Sequence, residues 1–234
     1  DLQSGNIIRE MEINDSYFAE GITVYDQSII VLTWKAEKAF RIDISNFSIV
    51  ENFSFEGEGW GICFNGEYLV MSNGTSQISF RDPETFEINH TIQVTWDGLP
   101  VPHINELECV GKEILANIWL QDTIISIDSV SGNVQYFLSP TSISSTQGTN
   151  SNEVLNGIAF DKSSEGFWIT GKNWTHIYLI EVDYQEISGE IQDNGEFNRF
   201  SELIIICVII LFSVFVLTRN KNEPETPNFK DSPP

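Results

Sequence analysis

Basic residues are scarce in this chain, which carries 12 Lys and Arg against 34 Asp and Glu in 234 residues, a formal net charge of −22 at pH 7. A field this negative repels nucleic-acid phosphates and anionic membrane surfaces. We therefore expect no nucleic acid among the partners, and we attribute the excess charge to a solvated acidic surface.

Side chains that bind transition metals are also few. The three His, at positions 90, 103 and 176, show no ligand spacing, and the three Cys form no Cys-x-x-Cys pair. A zinc site therefore has little support from the sequence, and we expect neither a metal nor another cofactor.

What the chain does have is a fourfold repeat. Its four anchor triplets begin at Glu20, Glu58, Asn105 and Asn156. In the first two repeats, four short β-prone runs follow one another, separated by Asp, Asn, Ser and Gly turns. Four-stranded repeats of this length are typical of the blades of a β-propeller, so we expect an all-β propeller fold. A two-sheet sandwich is the alternative, but its strands need not recur in register.

The chain opens inside a repeat. Residues 1–5 resemble the turn at residues 128–132, and Asn6 to Ile13 reads as the outer strand of a blade whose inner strands are absent. We expect four complete blades and one incomplete first blade. The Ser/Thr/Asn/Gln-rich loop from Ser139 to Glu153 is interpreted as a disordered insertion.

Cys63 and Cys109 fall at similar positions of neighbouring repeats. A disulfide between them is possible, but buried thiols are the favoured interpretation.

The longest apolar run, Leu203 to Leu217, lies near the end of the chain. As a helix it spans about 23 Å at 1.5 Å per residue, and the flanking Phe200, Ser201 and Thr218 bring it nearer to the hydrocarbon thickness of ~30 Å. The sequence thus predicts four segments: a propeller domain at 1–184, a linker at 185–200, a transmembrane helix at 201–218 and a disordered cytoplasmic tail at 219–234. Arg219 and Lys221 weakly favour a cytoplasmic C-terminus, which would place a single-pass protein in the cell membrane with its propeller outside. A buried core segment is the alternative.

In propellers the first strand of each blade lines the central channel, so we expect the anchors to ring one mouth of it. Four Trp residues, one Lys and two Asn would gather there: Trp34, Trp60, Trp119, Trp174, Lys172, Asn105 and Asn156. The alternative for any one position is that the polar side chains cap strand ends and the Trp side chains fill the core.

Nine short motifs in fixed order resemble the plant and bacterial type of glutaminyl cyclase, the glutamine cyclotransferases. Among them are Phe18-Ala19-Glu20-Gly21-Ile22-Thr23, Gly57-Glu58-Gly59-Trp60-Gly61, Asn105-Glu106-Leu107-Glu108 and Leu155-Asn156-Gly157-Ile158-Ala159. The resemblance runs from residue 1 to about 182 and implies a five-bladed propeller. The opening blade of the family is absent, and Asn73 stands where the family usually has Asp.

The resemblance implies that the protein, as an aminoacyltransferase, converts the N-terminal Gln of peptides and proteins to pyroglutamate with release of ammonia and without a metal. Glu20 matches the catalytic carboxylate of the family. Trp34, Trp60 and Trp119 match its aromatic cage, and Asn105 and Lys172 match its polar substrate contacts. Glu58, Glu106 and Asn156 are interpreted as structural.

A rival interpretation is a non-catalytic, membrane-anchored propeller that binds a peptide or a glycan at its Trp-lined mouth. A purely structural interaction propeller is a further possibility, and it predicts that Glu20 and Lys172 are replaceable.

Overall fold

The computed structural model describes residues 6–147, 153–182 and 207–209. Within these ranges the chain forms a propeller-like arrangement of four antiparallel four-stranded sheets and one small hairpin. The first two sheets comprise β1 (Ala19–Tyr25), β2 (Ser28–Thr33), β3 (Lys38–Asp43) and β4 (Ser48–Ser54), then β5 (Ile62–Phe64), β6 (Leu69–Ser72), β7 (Gln77–Arg81) and β8 (Ile88–Gln93).

The hairpin and the last two sheets follow in chain order. They comprise β9 (Thr95–Trp96) and β10 (Leu99–Pro100); β11 (Ile104–Val110), β12 (Glu113–Ile118), β13 (Ile124–Asp128) and β14 (Val134–Leu138); the helix α1 (Thr141–Gln147); and β15 (Leu155–Asp161), β16 (Gly166–Gly171), β17 (Tyr178–Ile180) and β18 (Cys207–Ile209). All sheet strands pair with their sequence neighbours, as the alternating runs and short turns predict.

The sheets stack face to face, and apolar side chains fill the space between them. Phe53 and Phe86 stack with ring centroids 5.2 Å apart between the first and second sheets. Ile78 and Ile114 lie between the second and third sheets, and Leu115 and Phe167 lie between the third and fourth. The first strands of successive sheets touch: β1 contacts β5, β5 contacts β11, and β11 contacts β15. These first strands therefore form the inner wall of the arrangement.

The predicted acidic turns are present in the first three sheets, between the third and fourth strands. Asp43, Asp82 and Asp128 each accept backbone N–H groups two or three residues ahead, as in Asx turns. These short closures place the fourth strand of each sheet beside the third without a long connection.

The predicted outer strand from Asn6 to Ile13 is wrong, because residues 6–18 form no strand. Met11 and Ile13 instead pack on the face of the first sheet that points away from the second sheet, beside Val31 and Phe40. The Arg9 guanidinium donates to the carbonyl oxygen of Ser45 at 2.8 Å and fixes the segment along that face. Burial of apolar side chains, rather than strand pairing, thus determines its path.

The expectation of disorder between Ser139 and Glu153 is wrong for the part that the structure describes, since α1 occupies Thr141–Gln147. Pro140 precedes the first turn, where proline is well tolerated, and its carbonyl oxygen accepts the N–H of Ser144 at 3.0 Å. Ile143, which is 4% exposed, inserts into the core between the third and fourth sheets. The buried Ile143 side chain thus anchors a segment whose sequence shows no helical pattern.

The expectation of buried thiols is also wrong. Cys63 on β5 and Cys109 on β11 form a disulfide with a Cα–Cα distance of 5.5 Å, which is usual for this bond. The bond joins the first strands of the second and third sheets.

Most of the predicted transmembrane helix lies outside the described residues, so it stays a prediction. Its three described residues, Cys207–Ile209, form β18, which pairs antiparallel with β17. Among the described helices none has the length and apolar character needed to cross a bilayer. The linker and the tail, apart from these three residues, also fall outside the described ranges.

Candidate active site

The anchor triplets coincide with irregularities in the first strands. The pairing register shifts between Ala19 and Ile22 in β1, and the same shift recurs in β11 and β15 at their anchors. Such bulges re-aim side chains and are frequent beside active sites. The sequence repeat therefore corresponds to a recurring backbone irregularity. At Glu20, Asn105 and Asn156 the side chains do not follow the regular alternation between the two faces of the sheet.

Glycines allow these anchors to approach one another. A Cβ atom at Gly21 would lie 2.5 Å from the carbonyl oxygen of Trp60, and one at Gly61 would overlap the carbonyl oxygen of Asn105. The backbone beside Glu20 thus touches that of Trp60, and the backbone after Trp60 touches that of Asn105. Three of the predicted site residues are brought to adjacent positions on successive sheets.

Glu20 forms an ion pair with Lys172, which follows β16 in the fourth sheet. Lys172 Nζ lies 3.4 Å from Glu20 Oε1, and the Glu20 side chain is only 8% exposed. Burial raises the pKa of Glu20 to about 7, although the charge of Lys172 and its hydrogen bond lower the pKa of the carboxyl in part. Burial likewise lowers the pKa of Lys172, and Glu20 opposes that shift. The carboxyl can therefore both accept and donate a proton near neutral pH.

The Trp side chains form a connected wall organised by Glu58. Trp34 Nε1 and Trp60 Nε1 both donate to Glu58 Oε2, each at 2.9 Å. The Trp60 and Trp119 rings also meet at nearly a right angle, with ring centroids 5.5 Å apart. A Cβ atom at Gly74 would overlap the Trp60 ring, so this glycine makes room for it. Three predicted cage residues are thus brought into one cluster.

Asn105 lies beneath this cluster and is fully buried. Its backbone carbonyl oxygen accepts the Ser72 hydroxyl at 2.7 Å. Neither polar atom of its side-chain amide has a hydrogen-bond partner in the described part of the chain.

Trp174 does not belong to the wall. It is 5% exposed, packs in the core between the third and fourth sheets, and donates from Nε1 to the carbonyl oxygen of Glu153 at 2.9 Å. For this residue the core alternative stated from the sequence holds.

Glu106 belongs to the third anchor triplet, which the sequence placed at the same mouth as Glu20, although Glu106 itself was interpreted as structural. It lines a cavity of about 390 Å³ together with Ile158, Trp168 and Ile169. Burial chiefly, and the neighbouring Glu20 and Glu108 charges in addition, raise the pKa of Glu106 well above its usual value.

Glu58 was interpreted as structural from the sequence, which missed its contact with two cage residues. The available signal was its position as the first residue of the second anchor triplet, two residues before Trp60. Asn156, the remaining anchor, has a buried Oδ1 without a hydrogen-bond partner in the described ranges, while its neighbour Gly157 donates to Asn117 Oδ1 at 2.9 Å.

A family model, a curated relative and a solved structure each match most of the chain. A family model described as glutamine cyclotransferase matches residues 1–182. The glutaminyl-peptide cyclotransferase of Arabidopsis thaliana is 31% identical over 186 residues, covering 78% of this chain and 58% of the relative. The crystal structure of Myxococcus xanthus glutaminyl cyclase is similar with a TM-score of 0.69 and 33% identity, covering 74% of this chain and 75% of that one. The chain thus spans less than two thirds of the length of the Arabidopsis relative.

Proposed function

Since this chain belongs to the glutamine cyclotransferase family, we propose that it is a glutaminyl-peptide cyclotransferase that acts on peptides and proteins with an N-terminal Gln. The observation that carries the proposal is the buried Glu20 carboxyl, paired with Lys172 at 3.4 Å and held at a pKa of about 7. A carboxyl with a pKa near neutral pH suits a reaction that must move a proton from the attacking amine to the departing nitrogen.

The reaction joins two groups of the same substrate residue. The α-amino nitrogen attacks the side-chain amide carbon, the C–N bond to the amide nitrogen breaks, and ammonia leaves behind a five-membered lactam. Because the substrate supplies both nucleophile and electrophile, proximity is largely provided in advance. No oxidant or reductant is needed, and the proposal includes no metal.

Glu20 is the proton carrier in this scheme. As a carboxylate it accepts a proton from the attacking amine, and as a carboxylic acid it returns that proton to the departing nitrogen. General acid–base catalysis of this kind contributes ~10²–10⁴-fold to a rate. Its pKa of about 7 lies close to that of a peptide α-amine, ~7.7–8.0. Proton transfer between the two groups therefore costs little free energy in either direction.

Lys172 and Asn105 are assigned to the substrate amide. The tetrahedral intermediate carries negative charge on the former carbonyl oxygen, and one well-placed donor stabilises such charge by ~3 kcal/mol. The Lys172 ammonium is a donor beside Glu20. The unpaired amide of Asn105 offers a further donor and an acceptor. Trp34, Trp60 and Trp119 are assigned to the walls, since aromatic faces attract the ammonium form of the substrate.

The five-bladed ring and the cellular location belong to the same proposal. A further sheet would cover Ile22 and Val24, which are 57% and 59% exposed on the face of the first sheet that points away from the second. A disulfide between Cys63 and Cys109 suits an oxidising compartment, in keeping with a propeller outside the cell membrane and a single C-terminal span at 201–218.

The experiment that tests the function is an assay of ammonia release from a Gln-initiated peptide, with a chelator present and with the matching Asn-initiated peptide as control. We expect stoichiometric ammonia and pyroglutamyl product from the Gln peptide alone. Binding without turnover would support the rival peptide-binding or glycan-binding propeller. Full inhibition by the chelator would overturn the metal-free part of the proposal.

A further inference from the structure

A single carboxylate oxygen organises two walls of the candidate site. Both indole N–H groups, from Trp34 and Trp60, point at Glu58 Oε2 at 2.9 Å. The two Trp residues belong to different sheets, since Trp34 follows β2 and Trp60 precedes β5. Glu58 therefore ties together side chains that the backbone of either sheet alone does not orient.

Each of the two rings has further contacts that define its place. Trp60 lies against Gly74 and meets the Trp119 ring at nearly a right angle, while Trp34 meets Phe18 with ring centroids 6.4 Å apart. These contacts restrict the rings by shape, but an indole N–H inside a partly buried wall also needs an acceptor. Hydrogen bonds to a charged acceptor are the stronger kind, and Glu58 provides one for both rings.

The charge of Glu58 acts in the same direction as the aromatic faces. A carboxylate that accepts both indole N–H groups adds a negative potential to rings whose faces already attract cations. The Trp34 ring carries a cation in this structure, because Lys35 Nζ lies 3.8 Å from its centroid. The aromatic wall that Glu58 orients can therefore bind an ammonium group.

We propose that Glu58 is a positioning residue that fixes the Trp34 and Trp60 rings as walls of the substrate site and gives that site its preference for the α-ammonium form of a peptide. This inference rests on the proposed cyclotransferase function. Substrate binds as a cation against the Trp walls and releases its ammonium proton to solvent, and Glu20 then takes the second proton from the attacking amine and returns it to the departing nitrogen. Glu58 contributes to substrate binding, whereas Glu20 contributes to the chemical step.

Two variants of the full chain separate orientation from charge. Glu58→Ala removes both, while Glu58→Gln keeps an oxygen that can accept the two indole N–H groups and removes only the charge. We expect Glu58→Ala to raise KM for a Gln-initiated peptide about tenfold or more, as the loss of bonds to a charged acceptor implies, with a smaller change in kcat. Glu58→Gln should raise KM less than Glu58→Ala does. The control is Glu56→Ala, which removes an exposed carboxylate from the same loop.

A second readout reports on the rings themselves. Near-ultraviolet circular dichroism of the Trp side chains should change in Glu58→Ala and stay close to the wild type in Glu58→Gln. A merely structural role would lower the melting temperature and leave KM of the folded fraction unchanged. That result, or a KM within twofold of the wild type in Glu58→Ala, would overturn the inference.

Binding of a peptide that cannot cyclise distinguishes failure of this inference from failure of the proposed function. Titration with an Ala-initiated peptide, and with its N-acetylated form as the uncharged partner, requires no turnover. We expect the wild type to bind the free-amine peptide more tightly than the N-acetylated peptide. In Glu58→Ala most of this difference in affinity should be lost. If the wild type turns over no Gln peptide yet shows this pattern, the proposed function is wrong, and only the role of Glu58 in binding an N-terminal ammonium is supported. If the two peptides bind the wild type equally, the inference is wrong.

Discussion

Glu20 is subject to two opposing influences, and their balance defines its chemistry. Burial raises the pKa of its carboxyl, while Lys172 lowers that pKa, and the result is about 7. With burial alone the acid would hold its proton too strongly to serve as a base. A free carboxyl at its ordinary pKa would be too weak an acid–base partner for an amine. The ion pair at 3.4 Å therefore adjusts the proton affinity of the group that the reaction uses.

Replacing Glu20 by Gln preserves its shape and much of its hydrogen-bonding capacity but removes proton transfer. We expect kcat for ammonia release from a Gln-initiated peptide to fall by ~10²–10⁴-fold, with little change in KM. The control is Glu108→Gln, because Glu108 is another carboxyl whose pKa burial raises, and it accepts the backbone N–H of Phe160 at 3.1 Å. Equal losses in the two variants would show that the Glu20 effect is structural.

The dependence of activity on pH tests the role of Lys172 in setting the proton affinity of Glu20. In the wild type, kcat/KM should rise with pH as Glu20 ionises around its pKa of about 7. Lys172 lowers that pKa, so Lys172→Met should raise it and move the acid limb to higher pH. The midpoint of the limb is the quantity to compare, since loss of the ammonium also lowers the maximum rate. An unmoved limb, or one at lower pH, would contradict the proposed ion-pair effect.

Regular strands were predictable from the sequence, and their irregularities were not. Alternating β-branched runs and Asx turns predicted four short strands in each of the first two repeats, and the structure has four strands in each, because hairpins are determined by local patterns. The bulges at the anchors appeared only as a recurring motif. Their consequence, a set of side chains aimed at one mouth, needs the register of two strands at once.

Features that depend on one long-range contact escaped prediction. α1 is stabilised by the burial of Ile143 between two sheets, and no local sequence pattern predicts that contact. The link from Glu58 to Trp34 and Trp60 joins residues of two sheets. The sequence placed Cys63 and Cys109 at like positions of neighbouring repeats, but only the packing of β5 on β11 brings their Cα atoms to 5.5 Å.

Removing the disulfide should weaken the contact between β5 and β11. A cross-link between residues separated by 46 positions restricts the unfolded chain, and such bonds typically contribute about 2–4 kcal/mol. We expect the Cys63→Ala/Cys109→Ala double variant to lose roughly that much free energy of unfolding in a urea titration. Before reduction, the denatured wild type should show one reactive thiol of its three Cys, and after reduction all three. Three reactive thiols in the unreduced protein would contradict the disulfide.

The candidate site belongs to the whole molecule, because its residues come from all four sheets. Glu20 lies in the first sheet and Asn105 in the third, and the others adjoin strands of a sheet: Trp34 of the first, Trp60 of the second, Trp119 of the third and Lys172 of the fourth. No single sheet contributes enough of these residues to form the site. The contacts that assemble the site are those between first strands, where glycines replace side chains. Folding of the sheets and formation of the site should therefore be one cooperative event.

The C-terminal segment is separate from the site in sequence, and a cut before Leu203 tests what it does. All predicted site residues precede it, so the 1–202 fragment should retain kcat and KM for a Gln-initiated peptide. If residues 201–218 span a membrane, as proposed, the complete chain should sediment with membranes and the fragment should stay in the supernatant. The described pairing of Cys207–Ile209 with β17 predicts a further effect. Loss of this three-residue strand exposes the edge of β17 and should lower the melting temperature of the fragment slightly. A fragment that still sediments with membranes would refute the proposed anchor, whereas a large loss of stability would show that the segment serves the fourth sheet instead.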